Sequence, residues 1–356
     1  MRFQSFLFFF PLLFPELGFS FSQVSLYRCR SSKVASSLHL SQEDLKKIVF
    51  DEKQRPSAGA SRRGAFRPKK NNGHYANQIF KLRDGHLLQY NEYYVDGSSD
   101  LVVYLCNLAE TKENTKARIL RNYCMKNKKR LLAADWFARG GSTGRLMDAT
   151  LTRWKNDTID FLEGAQPPGT INKAVLVGCG VGAWVAILVA LARPDLVRGL
   201  IGLSADPDFT EDLLWKFLPD EEKEAIMRDG FREVKWGARS EVYPITSSLI
   251  TDGRENLVLR GGPSSLDIQC PVRLIHSLDD EEVPVNMSMQ LAVCLKTPDV
   301  EVIVPKLGGH RLEDVYTIPS WVDPMYGDHK FKPPELSPLE DALESSLNVC
   351  FNTTES

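Results

Sequence analysis

Apolar positions along this chain gather in short unbroken runs, and longer stretches of mixed polarity separate them. Leu101-Val102-Val103-Tyr104-Leu105, Arg130-Leu131-Leu132-Ala133-Ala134-Asp135-Trp136, Ala174-Val175-Leu176-Val177, Gly199-Leu200-Ile201-Gly202-Leu203-Ser204, Val272-Arg273-Leu274-Ile275-His276 and Val300-Glu301-Val302-Ile303-Val304 are such runs. Each is bounded by turn residues, the pattern of strands buried on both faces. Between them, the spacing predicts helices over 116–126, 151–162, 181–190 and 285–295. Strands alternating with helices imply a mostly parallel sheet covered on both sides. Ahead of the first buried run, Gln78 to Leu82, an Asp84-Gly85 turn and His86 to Val95 predict a hairpin. Residues 206–267 read as a polar, helical insertion, with helices over 209–217 and 221–227. Beyond Ile318 prolines break the pattern, so 319–356 is expected to be a loosely ordered tail with one helix over 339–349. The globular domain is thus placed at 76–318.

The N-terminus follows different rules. Phe6 to Phe14 is apolar but too short to span a bilayer, which suits the core of a signal peptide. Residues 20–37 carry Arg28, Arg30, Lys33 and many serines but no acids, a transit-peptide composition. Residues 1–37 therefore read as a targeting leader directed to a mitochondrion or plastid, with the secretory pathway as the alternative. Residues 38–75, with a short helix after Ser41 and then Arg55, Arg62, Arg63, Arg67, Lys69 and Lys70 among small residues, read as a basic, solvated linker.

Composition narrows the function. With 43% hydrophobic residues in 356, the chain can bury one large core, and a net charge of −2 gives no global attraction to nucleic acid. Seven cysteines are scattered without a C-x-x-C pair, which argues against a zinc site or a disulfide framework. No metal or cofactor is expected, nor an integral membrane segment in the mature chain. The oligomeric state is not legible.

The chemistry centres on Gly178-Cys179-Gly180-Val181-Gly182, where a buried strand turns sharply into an apolar helix. In G-x-S-x-G, flanking glycines permit a strained turn that lifts a serine to the top of the sheet. Laid on this stretch, the pattern puts Gly180 at the nucleophile position, where no side chain can attack. Other motifs occur in order along the chain. Asp135-Trp136-Phe137-Ala138-Arg139-Gly140-Gly141-Ser142 is similar to D-Y-x-G-x-G-x-S. Thr150-Leu151, Trp154-Lys155 and Asp157 match T-L-x-x-W-x-x-D, and Gly178 to Trp184 is similar to G-x-S-x-G-G-W. Cys270 to His276 resembles C-P-I-R-L-L-H. Together these resemble the serine-aminopeptidase-type branch of the α/β-hydrolase superfamily, which contains depalmitoylating thioesterases that also cleave acyl-glucuronides.

The resemblance implies an α/β-hydrolase fold, a mostly parallel sheet with helices on both faces and residues 206–267 as a small helical lid, and assigns roles. His276-Ser277-Leu278-Asp279-Asp280-Glu281-Glu282-Val283-Pro284 resembles H-G-x-x-D-x-x-V-P, which makes Asp280 the orienting carboxylate. His310, in Gly308-Gly309-His310-Arg311, is the base, in the chain order this fold uses. The oxyanion donors are the backbone amides of Val181 and Leu108. Departures gather at the same rim: Cys106-Asn107 replaces a proline-glycine pair, Ala138 a glycine, and Gly309 an acid. Two functional readings follow. The preferred one is a catalytically impaired protein that binds an acyl ester or thioester, or an acylated protein, in the old pocket. The other is an active ester or thioester hydrolase that uses Cys179, or a water activated by His310. Trp136, Phe137 and Trp184 are candidates for lining an acyl pocket, or for core.

Overall fold

A computed structural model describes Lys69 and residues 71–166, 172–236, 241–312 and 338–353. The leader, the linker as far as residue 68 and the proline-rich stretch 319–337 lie outside the described residues. An eight-stranded sheet forms the frame, in the order β1-β2-β4-β3-β5-β6-β9-β10. β1 (Gly73–Lys81) and β2 (Leu87–Tyr94) are an antiparallel hairpin, and β2 also runs antiparallel to β4 (Arg130–Ala134). From β4 the ladder through β3 (Leu101–Leu105), β5 (Ala174–Cys179), β6 (Val197–Leu203), β9 (Val272–Ile275) and β10 (Val300–Ile303) is parallel. β1 begins inside the stretch read as linker, because His74 and Tyr75 pair with Tyr93 and Glu92 and so extend the hairpin beyond the apolar core that marks it in the sequence.

The central strands are buried along their whole length, as continuous apolar runs require. Helices α1 (Thr115–Lys126), α2 (Leu151–Gly164) and α3 (Val181–Ala192) cover them. Asn114 caps α1 and Thr150 caps α2, each side chain accepting an amide hydrogen of the first turn. α3 is apolar on almost every face and buries every residue from Val181 to Ala190. It starts so close to β3 that a Cβ on Gly182 would overlap the Leu105 carbonyl. Trp136, Phe137 and Trp184 are all core residues. Trp136 donates its indole N–H to the Cys106 carbonyl at 3.0 Å, and Trp184 donates its own to the Asn256 carbonyl at 3.0 Å.

The insertion after β6 holds a π-helical turn (Thr210–Trp215), α4 (Asp220–Asp229), a two-stranded ribbon of β7 (Phe231–Trp236) and β8 (Glu241–Thr246), and α5 (Ser247–Glu255). Asp208 fastens its base by accepting the amides of Val258 at 2.8 Å and Leu259 at 3.0 Å. α6 (Asn286–Cys294) links β9 to β10.

The expected loose tail requires correction. Its last part, α7 (Pro338–Asn352), packs on the sheet and buries Leu339, Leu343, Leu347, Cys350 and Phe351. Arg198 of β6 donates to the Phe351 carbonyl at 2.7 Å, and Tyr123 of α1 donates to Asn348 at 2.8 Å.

Candidate active site

Parallel strands leave their C-terminal ends on one edge of the sheet, so the loops that follow them converge there. The loop after β3 carries Asn107 and Leu108, and the turn after β5 is Gly180. Asp206 follows β6, Asp280 follows β9, and His310 follows β10. These residues lie far apart in sequence, and the fold gathers them.

Asp280 is buried and saturated with donors. Its Oδ1 accepts the backbone amides of Glu282 at 2.9 Å and Val283 at 2.8 Å. Its Oδ2 lies 3.0 Å from Nδ1 of His310 and 3.1 Å from Nε2 of His276. Burial alone would raise its pKa, but the hydrogen bonds from His276 and His310 and the charge of His310 hold it well below the usual carboxylate range. Burial of His310 opposes its protonation, yet the hydrogen bond and charge of Asp280 outweigh that and raise its pKa. Nδ1 of His310 therefore donates to Asp280, and Nε2 faces the side chain of Asn107.

Three further residues support this pair: His276 and Asp279 lie in the motif that marks Asp280, and Asp206 lies outside every motif. His276 is wholly buried, placed between Asp280, the Val283 carbonyl at 2.9 Å and the Ser288 hydroxyl at 2.8 Å. Asp279 accepts from the Gly309 amide at 2.9 Å and the Ser277 hydroxyl at 2.5 Å, which ties the His310 loop to the Asp280 loop. Asp206 is buried with one carboxylate oxygen lacking a hydrogen-bond partner. Burial first, and then the negative charge of Asp280, push its pKa up to about 8, with His310 partly offsetting them. Its place directly after a core strand, on the edge where the loops converge, is the clue the sequence does contain.

Gly180 has φ 52° and ψ −121°, backbone that a side chain makes expensive, and its amide donates to the Leu203 carbonyl at 3.0 Å. Cys179, one residue earlier, is 1% exposed within the apolar core. Its electrostatic neighbours include Tyr104 and Cys106, whose own ionisation burial pushes far up.

The space beside Gly180 is filled by Asn107. Its Oδ1 accepts the Leu108 amide at 2.7 Å and, less closely, the Val181 amide at 3.4 Å. Its Nδ2 lies 3.2 Å from Nε2 of His310. The amide orientation follows from its partners, since two N–H donors on one side demand the oxygen there. A Cβ built on Gly180 would overlap the carboxamide. One asparagine thus touches both predicted oxyanion donors and the predicted base.

The comparisons decide the lineage. Palmitoyl-protein thioesterase ABHD10, mitochondrial, from Bos taurus is 30% identical over 241 residues, which covers 64% of this chain and 74% of the relative. This chain belongs to the α/β-hydrolase family. The Homo sapiens protein of the same description is 29% identical over 237 residues, with 64% and 74% covered. Among solved structures, alpha/beta hydrolase domain-containing protein 10 from mouse superposes with a TM-score of 0.58 at 26% identity, covering 67% of this chain and 92% of that one. A putative hydrolase from Agrobacterium vitis shares the fold with a TM-score of 0.62 at 23% identity, over 78% of this chain and all of its own. No protein-family model matches. Among the described residues of this family member, no helix is long and apolar enough to cross a membrane, and no group of three or more His, Cys, Asp or Glu side chains is arranged to hold a metal ion.

Proposed function

We propose that this α/β hydrolase is catalytically impaired and acts by binding an acyl ester, a thioester or an acylated protein where its relatives carry out hydrolysis. The observation behind this reading is the pairing of a side-chain-free Gly180 with an Asn107 carboxamide that fills the adjoining space. Serine chemistry needs a hydroxyl whose proton passes to the histidine while its oxygen attacks the acyl carbon, and a hole whose two amides take up the resulting oxyanion. At Gly180 the hydroxyl is missing, and Asn107 engages the hole and the base together. Asp280 and His310 remain as an acid-base pair without a nucleophile to activate. In subtilisin, removal of the serine alone lowers kcat by about 10⁶.

Burial of Cys179 in the core, beside Tyr104 and Cys106, argues for a structural thiol. The curated relatives are described as mitochondrial, which supports a mitochondrial destination for the 1–37 leader.

The test is hydrolysis of short- and long-chain acyl thioesters by the wild-type chain, Gly180→Ser, Asn107→Gly/Gly180→Ser, Cys179→Ala and His310→Ala. Wild type is expected at background. The double variant is expected to gain turnover about 10²–10³-fold above it, lost again when His310→Ala is added. Gly180→Ser alone stays near background because the new Cβ meets Asn107. Wild-type turnover that disappears in Cys179→Ala or His310→Ala would overturn the proposal and establish an active hydrolase.

A further inference from the structure

We infer that the space at Gly180 is a carboxylate slot, held in this structure by the Asn107 carboxamide and open to the head group of a carboxylic acid when Asn107 turns away. The inference rests on the reading of Gly180 as a vacated nucleophile position. A carboxamide and a carboxylate are planar groups of nearly the same shape, so what surrounds one describes a site for the other. One oxygen of Asn107 takes two backbone amides, and its other terminal atom faces Nε2 of His310. A Cβ at residue 180 would overlap Oδ1, Cγ and Nδ2 of Asn107 alike. A planar group therefore fits here only because residue 180 is glycine. Loss of the serine side chain turns a site for a tetrahedral intermediate into one for a flat anion.

Charge favours a carboxylate over the neutral amide. Val181 is the first residue of α3, so its amide lies at the positive end of that helix. His310 is held by Asp280 through Nδ1, which leaves Nε2 free to take a proton. When a carboxylic acid enters, its O–H bond breaks, the proton moves to Nε2, and the carboxylate remains between the imidazolium and the two amides. An ester or thioester can set its carbonyl oxygen on the same two amides but has no proton to give Nε2, so the slot holds the acid more tightly. Asn107 lies outside β3 and is only half-buried, so its side chain can swing toward solvent without breaking a strand.

Isothermal titration of the full chain with butyrate and with methyl butyrate tests this. Asn107→Gly is expected to bind butyrate about 10-fold more tightly than wild type, because the competing internal group is gone, and to bind methyl butyrate less tightly than butyrate. Adding His310→Ala should abolish the gain. Equal butyrate affinity in wild type and Asn107→Gly, or a gain that survives His310→Ala, would overturn the slot. Asn107→Asp supplies a measurement that needs no ligand, since it seats a carboxylate in the same position. Its His310 ring should titrate at least ~1 pH unit higher than in wild type by NMR, and an unchanged titration would also overturn the inference. These readouts are separate from turnover. Thioester hydrolysis by the wild type would sink the impaired-enzyme reading, whereas equal butyrate affinity would sink the slot and leave that reading standing.

Discussion

Ala138 sits at φ 63°, in the left-handed region, on the loop after β4 that Trp136 ties to Cys106. A residue with a Cβ is strained there by about 1 kcal/mol relative to glycine. Ala138→Gly should therefore raise stability by roughly 0.5–1 kcal/mol, read as a higher urea midpoint with unchanged slope. A lower midpoint would mean that Ala138 packing outweighs backbone strain. The same position shows what the sequence could and could not say. A family pattern that asks for glycine at 138 marks a left-handed turn, and the turn survives the alanine. Motif spacing likewise sufficed to make neighbours of Asp280 and His310, 3.0 Å apart. It could not foretell Asn107, because a missing proline-glycine pair reveals that a loop has changed and not where the new carboxamide points. That direction is set by three partners, Leu108, Val181 and His310, which meet only in the folded chain.

At the scale of elements, legibility tracked burial. Continuous apolar runs gave the parallel strands, and a near-wholly apolar stretch gave α3. The elements that departed from the sequence pattern are amphipathic and lie beside prolines or charges. β8 contains Pro244, and β7 alternates charged with apolar residues, so their pairing as a ribbon is decided by contact and not by local preference. The prolines that precede α7 predict a loosely held segment. Yet Leu339, Leu343, Leu347 and Cys350 recur at helical spacing and form one stripe, which the sheet buries beside β6. Leu347 is wholly buried, so Leu347→Ala should destabilise the protein by about 2–4 kcal/mol. A loss below ~0.5 kcal/mol in chemical unfolding would show that α7 is an accessory to the fold, not a part of its core.

For the molecule as a whole, the rim where the loops after the parallel strands meet concentrates titratable groups whose effects on stability oppose one another. Asp280 is held well below its ordinary pKa, so its contribution is present above pH ~4 and is lost on acidification through its folded value. Asp206 works the other way. Its folded pKa is pushed up to about 8 by burial and by Asp280. Between about pH 4 and pH 8 the unfolded chain has released this proton while the folded chain still holds it, so stability falls as pH rises through that window. Raised protonation of His310 adds to the fall above its ordinary value of 6.5. Asp206→Asn removes the carboxyl but keeps its shape. It should therefore stabilise the protein on the order of 2 kcal/mol at pH 8 and make little difference near pH 3.5, where Asp206 is protonated whether the chain is folded or not. Thermal unfolding of both proteins across that range decides the matter. An advantage for the variant that grows with pH means that the rim is strained at neutral pH by a carboxyl it cannot ionise. A constant difference would mean that Asp206 ionises normally and that the buried oxygen without a partner is satisfied by water. In the first case the rim carries a cost at neutral pH, and a bound group that draws a proton onto His310 would lower it, because the charge of His310 favours ionised Asp206.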